Sequence, residues 1–455
     1  MNRKLLLVTA LSAFLFAGPR PAAAQSSVSA PATLQGSGAP PVTVQNRYIV
    51  VTKSGLGSVL HLCALLGCQV QGSLDGILGL TYLVNSNGIL SPVVNLLESL
   101  LGIVSIEPDQ VLTLPQPAQP GVPTGLSDTA PVNYYGSIVW HGYVAQPAAQ
   151  IVRLVDAQSS FGLTGTGIVA VIDTGVDPNH PALAPVLLQG YDFTRNQPGA
   201  SEWLDVTGTQ NGVVDTNAQD QQPVMVQQST AAVLDQSTAA VLDGQPYSDF
   251  GHGTMTTGLV HLVAPKARLL PLKAFSANGT GTLSNIIAAL YYAVQNNASV
   301  VSMSFDVSAP SSALSQAAAY ANKAGVILVA SAGNEGTNAS VYPAALDNYV
   351  MGIASTSNAD VRSSFSNYGP VDVWIAAPGE SVISTYPGGT YASSSGTSFS
   401  CPLVSGTADL LLQARGGLNQ STAAGALSHA QRLTPDLNHG RLDIYQAVLS
   451  RLSTW

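Results

Sequence analysis

The sequence predicts an α/β fold, a three-layer sandwich with a mostly parallel central sheet, preceded by a small α+β domain. Three observations lead there. From residue 168 onward, apolar runs of strand length at 168–173, 268–275, 299–305 and 326–332 alternate with helical patterns at 282–298 and 311–324. Such alternation builds a parallel sheet covered by helices on both faces. Ahead of it, residues 46–112 read strand, helix, strand, helix, strand. With 46% hydrophobic and only 9% charged residues over 455 positions, the chain can bury a large core plus a smaller domain, and it is not a disordered chain.

The elements follow in order. Residues 1–24 open with Arg3 and Lys4, run apolar from Leu5 to Ala17 and reach Ala22-Ala23-Ala24 before Gln25. That is the layout of a cleaved export signal, too short for a membrane span, so the product is expected to be secreted, extracellular or periplasmic. No later stretch reaches about 20 continuous apolar residues, and no membrane anchor is expected. Residues 25–45, rich in Ser, Pro, Ala, Gly and Gln, make a flexible spacer. Strands are expected at 47–51, 79–84 and 104–111 and helices at 57–66 and 91–101, followed by a Pro-rich linker over 113–130. Residues 131–455 form the large domain. In its helix 282–298, Ile286, Ala289, Leu290, Ala293 and Val294 keep the i, i+3, i+4 spacing of a buried stripe. Residues 195–247 break the regularity with a tandem octapeptide at 228–235 and 236–243, read as a duplicated surface insertion with too few repeats for a solenoid.

A net charge of −9, with 16 Lys and Arg that form no cluster, argues against nucleic-acid binding. Three cysteines are too few for a disulfide scaffold. Cys63 and Cys68 can pair with each other, which leaves Cys401 as a lone thiol read as a small buried packing residue.

The chemistry centres on Ser395-Gly396-Thr397-Ser398-Phe399-Ser400-Cys401-Pro402, set against the start of a long Ala/Leu-rich helix. A serine at a helix N-terminus lies beside free N–H groups that favour developing negative charge, which suits a nucleophile. Serine alone is a poor nucleophile and needs a base, an orienting acid and an oxyanion donor. The acid is Asp173, ending the strand run Ile168-Val169-Ala170-Val171-Ile172. The base is His252, between Gly251 and Gly253 at a helix start. The donor is Asn334 in Ser331-Ala332-Gly333-Asn334-Glu335-Gly336. Asp173 and Asn334 both stand at strand C-terminal ends, where such sheets gather their ligands.

In their order Asp, His, Asn, Ser and in their flanks, these four motifs closely resemble the subtilisin-like serine proteases. The resemblance covers most of the chain, and the roles of the four residues follow from it. It implies a serine endopeptidase with Asp173, His252 and Ser398 as triad and Asn334 in the oxyanion hole. The small domain, with Tyr48-Ile49-Val50-Val51 at its start and Ile106-Glu107-Pro108-Asp109-Gln110-Val111 at its end, resembles the ferredoxin-like propeptide of the family's zymogens. That implies an intramolecular inhibitor removed by self-processing somewhere between about residue 111 and residue 135. Protein or peptide substrates would bind by adding an extended strand beside the serine. Ser302-Met303-Ser304 resembles one edge of that site, and Ala330-Ser331-Ala332-Gly333 a wall of the pocket for the residue before the cut. Asp306 stands where the family usually has Gly, which puts broad specificity in doubt and raises basic residues as a minor possibility. His180 resembles a structural histidine of the family, Asp177 is a second carboxylate near Asp173, and Pro343 is similar to a cis proline.

No metal and no cofactor are expected. The helix after His252 runs straight into Val263-Ala264-Pro265, and Ala182 stands where a calcium carboxylate is usual, so the family's strong calcium site is absent while a weak one stays open. The chain is expected to act as a monomer. The alternative is a catalytically silent protein of the same fold that binds extracellular peptides or partners. A serine esterase fits less well, since that fold needs a Gly-x-Ser-x-Gly elbow with the acid and the His after the serine.

Overall fold

A computed structural model describes residues 43–87, 101–114, 123–206, 232–233 and 247–453. The export signal, most of the spacer, nearly all of the expected helix 91–101, the middle of the Pro-rich linker and most of the 195–247 segment lie outside the described residues.

The N-terminal region contains β1 (Thr43–Thr52), α1 (Leu56–Leu66), β2 (Cys68–Ser73), β3 (Thr81–Ser86) and β4 (Ile103–Thr113). Its strands pair antiparallel in the order β4-β1-β3-β2. β2 was not expected: its sequence Cys-Gln-Val-Gln-Gly-Ser has one large apolar residue, and it forms because β3 offers a partner edge. Cys63 and Cys68 form a disulfide that joins the end of α1 to β2.

The larger region begins with the hairpin β5 (Pro131–Tyr134) and β6 (Ser137–Trp140) and three short helices, α2 (His141–Val144), α3 (Pro147–Ile151) and α4 (Leu154–Phe161). It continues with β7 (Ile168–Asp173), β8 (Tyr191–Asp192), β9 (Gln197–Pro198), α5 (Trp203–Val206), β10 (Ala232–Val233), α6 (His252–Val263), β11 (Arg268–Lys273), β12 (Thr280–Thr282) and α7 (Leu283–Gln295). Then come β13 (Val300–Met303), α8 (Ser312–Lys323), β14 (Ile327–Ser331), β15 (Val350–Thr356), β16 (Ile375–Pro378), the antiparallel pair β17 (Val382–Tyr386) and β18 (Thr390–Ser394), α9 (Thr397–Ala414), α10 (Gln420–Leu427) and α11 (Ile444–Ser453).

Eight strands form the central sheet in the order β16-β15-β14-β13-β7-β11-β8-β9, parallel except for the β8–β9 pair. Side chains alternate across a strand, so each inner strand feeds two cores. Val169 and Val171 join the core that holds Leu259 and Val263 of α6 and Leu403, Val404 and Leu411 of α9. Ala170 and Ile172 join the one that holds Ile286, Ala289, Leu290 and Ala293 of α7 and Leu314, Ala317 and Ala318 of α8. The expected buried stripe of the 282–298 helix is therefore real except at Val294, which packs at its margin.

The two regions meet along β4. Thr113, Leu112 and Val111 pair antiparallel with Thr280, Gly281 and Thr282, so β12 extends the N-terminal sheet to five strands. Leu112 and Leu114 are buried in the core of α7 and α8. Two carboxylates of β4 cap those helices. Glu107 accepts from Ser311 Oγ (2.7 Å), Ser312 N (3.1 Å) and Ala313 N (2.9 Å) at the start of α8. Asp109 accepts from Ser284 N (2.9 Å) and Ser284 Oγ (2.8 Å) at the start of α7, with Arg47 Nε on the same carboxylate (2.8 Å). Such a carboxylate satisfies N–H groups that the helix leaves open and lies at the positive end of its dipole.

Candidate active site

Asp173 is the last residue of β7 and His252 the first of α6, and both are buried. Two glycines let their turns touch. Gly175 has φ +110°, and a Cβ on Gly253 would lie 2.1 Å from the Gly175 carbonyl oxygen, so only glycine permits this approach. His252 Nδ1 lies 2.7 Å from Asp173 Oδ1. Asp173 also accepts from Thr174 N (2.7 Å) and Thr256 Oγ1 (3.0 Å), which fixes the carboxylate. An acceptor-only carboxylate makes Nδ1 the donor and leaves Nε2 as the basic nitrogen. Burial disfavours the imidazolium, but the charge and hydrogen bond of Asp173, with Asp249 and Glu202 further off, outweigh it and raise the His252 pKa.

Ser398 is the second residue of α9. Pro402 lies four residues on and has no N–H to give the Ser398 carbonyl, which instead accepts from Ser304 Oγ at 2.9 Å. Ser398 Oγ donates to Ser304 O at 3.2 Å, and His252 Nε2 has no hydrogen-bond partner. The hydroxyl thus rests against β13's end rather than on the imidazole. Asn334 is held by Thr397 N and Thr397 Oγ1, both 2.9 Å from its Oδ1, while its Nδ2 is buried without a partner, 3.3 Å from where a Cβ on Gly396 would sit.

The residues expected to bind substrate divide. Ser302 and Met303 lie within β13, paired on both sides by β7 and β14, and both are fully buried. Ser302 Oγ accepts from Ser405 Oγ (2.9 Å), and neither residue offers an open backbone edge. Ser304, just past the strand, faces Ser398. Ala330 and Ser331 are likewise inside β14, whereas Ala332 and Gly333 lie beyond its end, next to Asn334. Asp306 Oδ2 is buried without a hydrogen-bond partner. Burial first, and then the Glu335 charge, push its carboxyl up to about 7.

Tyr342–Pro343 is a cis bond. His180 is buried, its Nε2 2.9 Å from Thr390 O, and Asp177 accepts from Asn179 N and Gly388 N without touching His252. Cys401 is buried, and burial pushes its thiol up to about 11. The 195–247 segment is not all surface as expected: Ser201 and Glu202 are buried, and half-buried Asp205 turns its carboxylate inward to the Lys273 ammonium. Lys273, fully buried at the end of β11, donates to Asp205 Oδ2 (2.6 Å), Thr174 O and Phe275 O (both 2.7 Å). Thr174, Thr256, Glu202 and Lys273 were not singled out in the sequence. The two threonines flank the Asp and His motifs, and the other two have no local signal.

α6 passes directly into Ala264, and Ala182 is fully buried. Among the described residues no group of three or more His, Cys, Asp or Glu could hold a metal ion, and no helix is long and apolar enough to cross a membrane.

The subtilase family profile matches residues 165–444. Thermitase from Thermoactinomyces vulgaris is 33% identical over 294 residues, which span 62% of this chain and 88% of thermitase. Subtilisin Savinase from Lederbergia lenta is 34% identical over 267 residues, 56% of this chain and 80% of that protein. A crystal structure of a cold adapted subtilisin-like serine proteinase aligns with 62% of this chain and 89% of its own at 28% identity, with a TM-score of 0.48.

Proposed function

Because the chain belongs to the subtilase family and is a subtilisin-like serine endopeptidase, we propose that it cuts peptide bonds with Asp173, His252 and Ser398, with Asn334 as oxyanion donor. The observation that carries these assignments is the 2.7 Å Asp173–His252 contact with Nε2 unpartnered, the His252 ring packed 5.5 Å from that of Phe399, the residue after Ser398, and an unpartnered Asn334 Nδ2.

Ser398 turns from Ser304 O toward His252. Nε2 takes the hydroxyl proton as Oγ bonds to the scissile carbonyl carbon, and Asp173 stabilises the imidazolium. The carbonyl oxygen, now negative, accepts from Asn334 Nδ2 and the Ser398 N–H at the start of α9. On collapse the C–N bond breaks, the amine leaves with the proton from Nε2, and the acyl group stays on Oγ. Water, losing its proton to Nε2, then attacks the ester carbon; as the C–Oγ bond breaks, Oγ takes that proton back from Nε2 and the acid leaves. Ser304, Ala332 and Gly333 line the path of the substrate. Ser302, Met303, Ala330 and Ser331 form the wall behind it.

The N-terminal region acts as a ferredoxin-like propeptide that blocks this site until it is cut. The strand order β4-β1-β3-β2 supports that build, and the pairing of β4 with β12 supports the block, since the chain occupies an edge that an extended peptide would use. Export through residues 1–24 and action as a monomer without a strong calcium site complete the reading.

Purified chain and its Ser398→Ala variant test it, by intact mass over time and by labelling with a fluorophosphonate probe. The wild type should shorten at its N-terminal side and take the label, in EDTA as in buffer. The variant should stay whole and unlabelled, with turnover lower by about 10⁶-fold, a figure taken from subtilisin itself. A wild type that stays whole on its own, and takes no label even after another protease removes its N-terminal region, would be a silent peptide binder.

A further inference from the structure

A third carboxylate lies behind the Asp173–His252 pair. Glu202 is fully buried at the start of α5. Its backbone N–H donates to Val176 O (3.1 Å), which ties it to the turn after β7. Its Oε1 accepts from Thr174 Oγ1 (2.7 Å) and Thr254 N (3.1 Å), and its Oε2 from Thr254 Oγ1 (3.2 Å). Both hydroxyls are themselves held: Thr174 Oγ1 accepts from Gly253 N (2.9 Å) and Thr254 Oγ1 from Asp177 N (2.8 Å). One carboxylate thus joins the turn that carries Asp173 to the first turn of the helix that carries His252. That helix begins after Gly251, which has no side chain to cap it, so Glu202 supplies the acceptor that a capping side chain would give.

Resting on the triad assignment above, we propose that Glu202 is a positioning residue for proton transfer. It holds the imidazole and Asp173 in register and adds a second negative charge that raises the proton affinity of His252. Every hydrogen bond to its carboxylate is one the carboxylate accepts, which favours the ionised form. The charged and titratable groups around the pair are Asp173 of β7, Lys273 of β11, Asp249 before α6 and Tyr386 of β17. Burial pushes the Glu202 carboxyl up to about 7, against the bond from Thr174 and the charge of Lys273, so its charge state is coupled to that of His252.

His252 works as a base only when unprotonated, and the Glu202 charge favours the protonated form. Removing that charge frees the base at lower pH.

The test compares the full chain with Glu202→Gln, near-isosteric and uncharged, by kcat and KM on a chromogenic peptide across pH and by thermal unfolding. We expect the acid limb of kcat/KM to move down by about 0.5 pH unit, the size of one partly screened charge. The kcat should fall several-fold with little change in KM. A folded variant with a lowered Tm but the wild-type limb would make Glu202 a tie in the fold only, and would overturn the inference while the triad stands. A wild type that neither turns over nor labels at Ser398 would instead remove the triad assignment. Should Glu202→Gln not fold, Glu202→Asp decides. It keeps the charge but shortens its reach, so an unmoved limb with lower kcat supports the inference, and unchanged kcat overturns it.

Discussion

The larger region is stabilised by a sheet whose inner strands bury both faces, while the N-terminal region has one small core around Val50, Val59, Leu62, Tyr82, Val84 and Ile106. On the latter, Leu56, Leu60, Leu65, Ile77 and Leu80 remain exposed. A domain of that size buries a smaller share of its surface and is correspondingly marginal. What holds it is the seam: β4 on β12, Leu112 and Leu114 in the neighbouring core, and Glu107 and Asp109 at two helix starts. The difference separates a scaffold that stands on its own two-sided burial from a region that leans on its neighbour, through an edge pairing, Ile49, Val51, Leu112 and Leu114 in the shared core, and two helix caps.

A change confined to the scaffold should cost rate and leave the seam alone. Asn334→Ala should lower kcat by about 10² to 10³, a range known from subtilisin rather than derived from this chain. Tm and release of the cut N-terminal region should not move, and if they fall with kcat the two regions are not independent. Changes on the seam should do the reverse. With about 1 kcal/mol for each lost cap, Glu107→Ala with Asp109→Ala should speed release about 30-fold. The appearance of probe-reactive Ser398 in the processed complex reads this, and an unchanged rate would assign the hold to Leu112 and Leu114 instead. The smallest effect concerns Asp306. Its folded pKa is raised, so the fold prefers the neutral form and loses stability as pH rises from the ordinary carboxylate range through about 7. Asp306→Asn should therefore raise Tm by about 2 °C at pH 8 and by less at pH 5. A gain equal at both values would mean that the carboxylate is not the cause.

Much of the scaffold was legible because its signals are local. β7, β11, β13 and β14 are continuous apolar runs, and Asp173, His252, Asn334 and Ser398 stand in short motifs at element ends. β15 was not legible. It includes Gly352, whose Cβ would fall 1.8 Å from Asp372 O, so a close backbone approach demands the residue that weakens the strand pattern. Glu202 was invisible for another reason: its partners Thr174 and Thr254 are 28 and 52 positions away, and nothing beside it in sequence marks a buried carboxylate. The resting place of Ser398 Oγ depends on one side-chain rotation, which no sequence pattern encodes.

The three sulfur positions place a demand on the order of events during folding. Cys401 in the finished protein is sealed and keeps its proton to about pH 11, so it offers no thiolate to attack the Cys63–Cys68 bond. Before α9 packs against β13, that protection does not exist. Cys63 and Cys68 are five positions apart, whereas either is more than 330 positions from Cys401, and short loops close more readily than long ones. Correct pairing is therefore a race that proximity wins early, and slow oxidation before packing is the circumstance in which the third sulfur becomes a competitor.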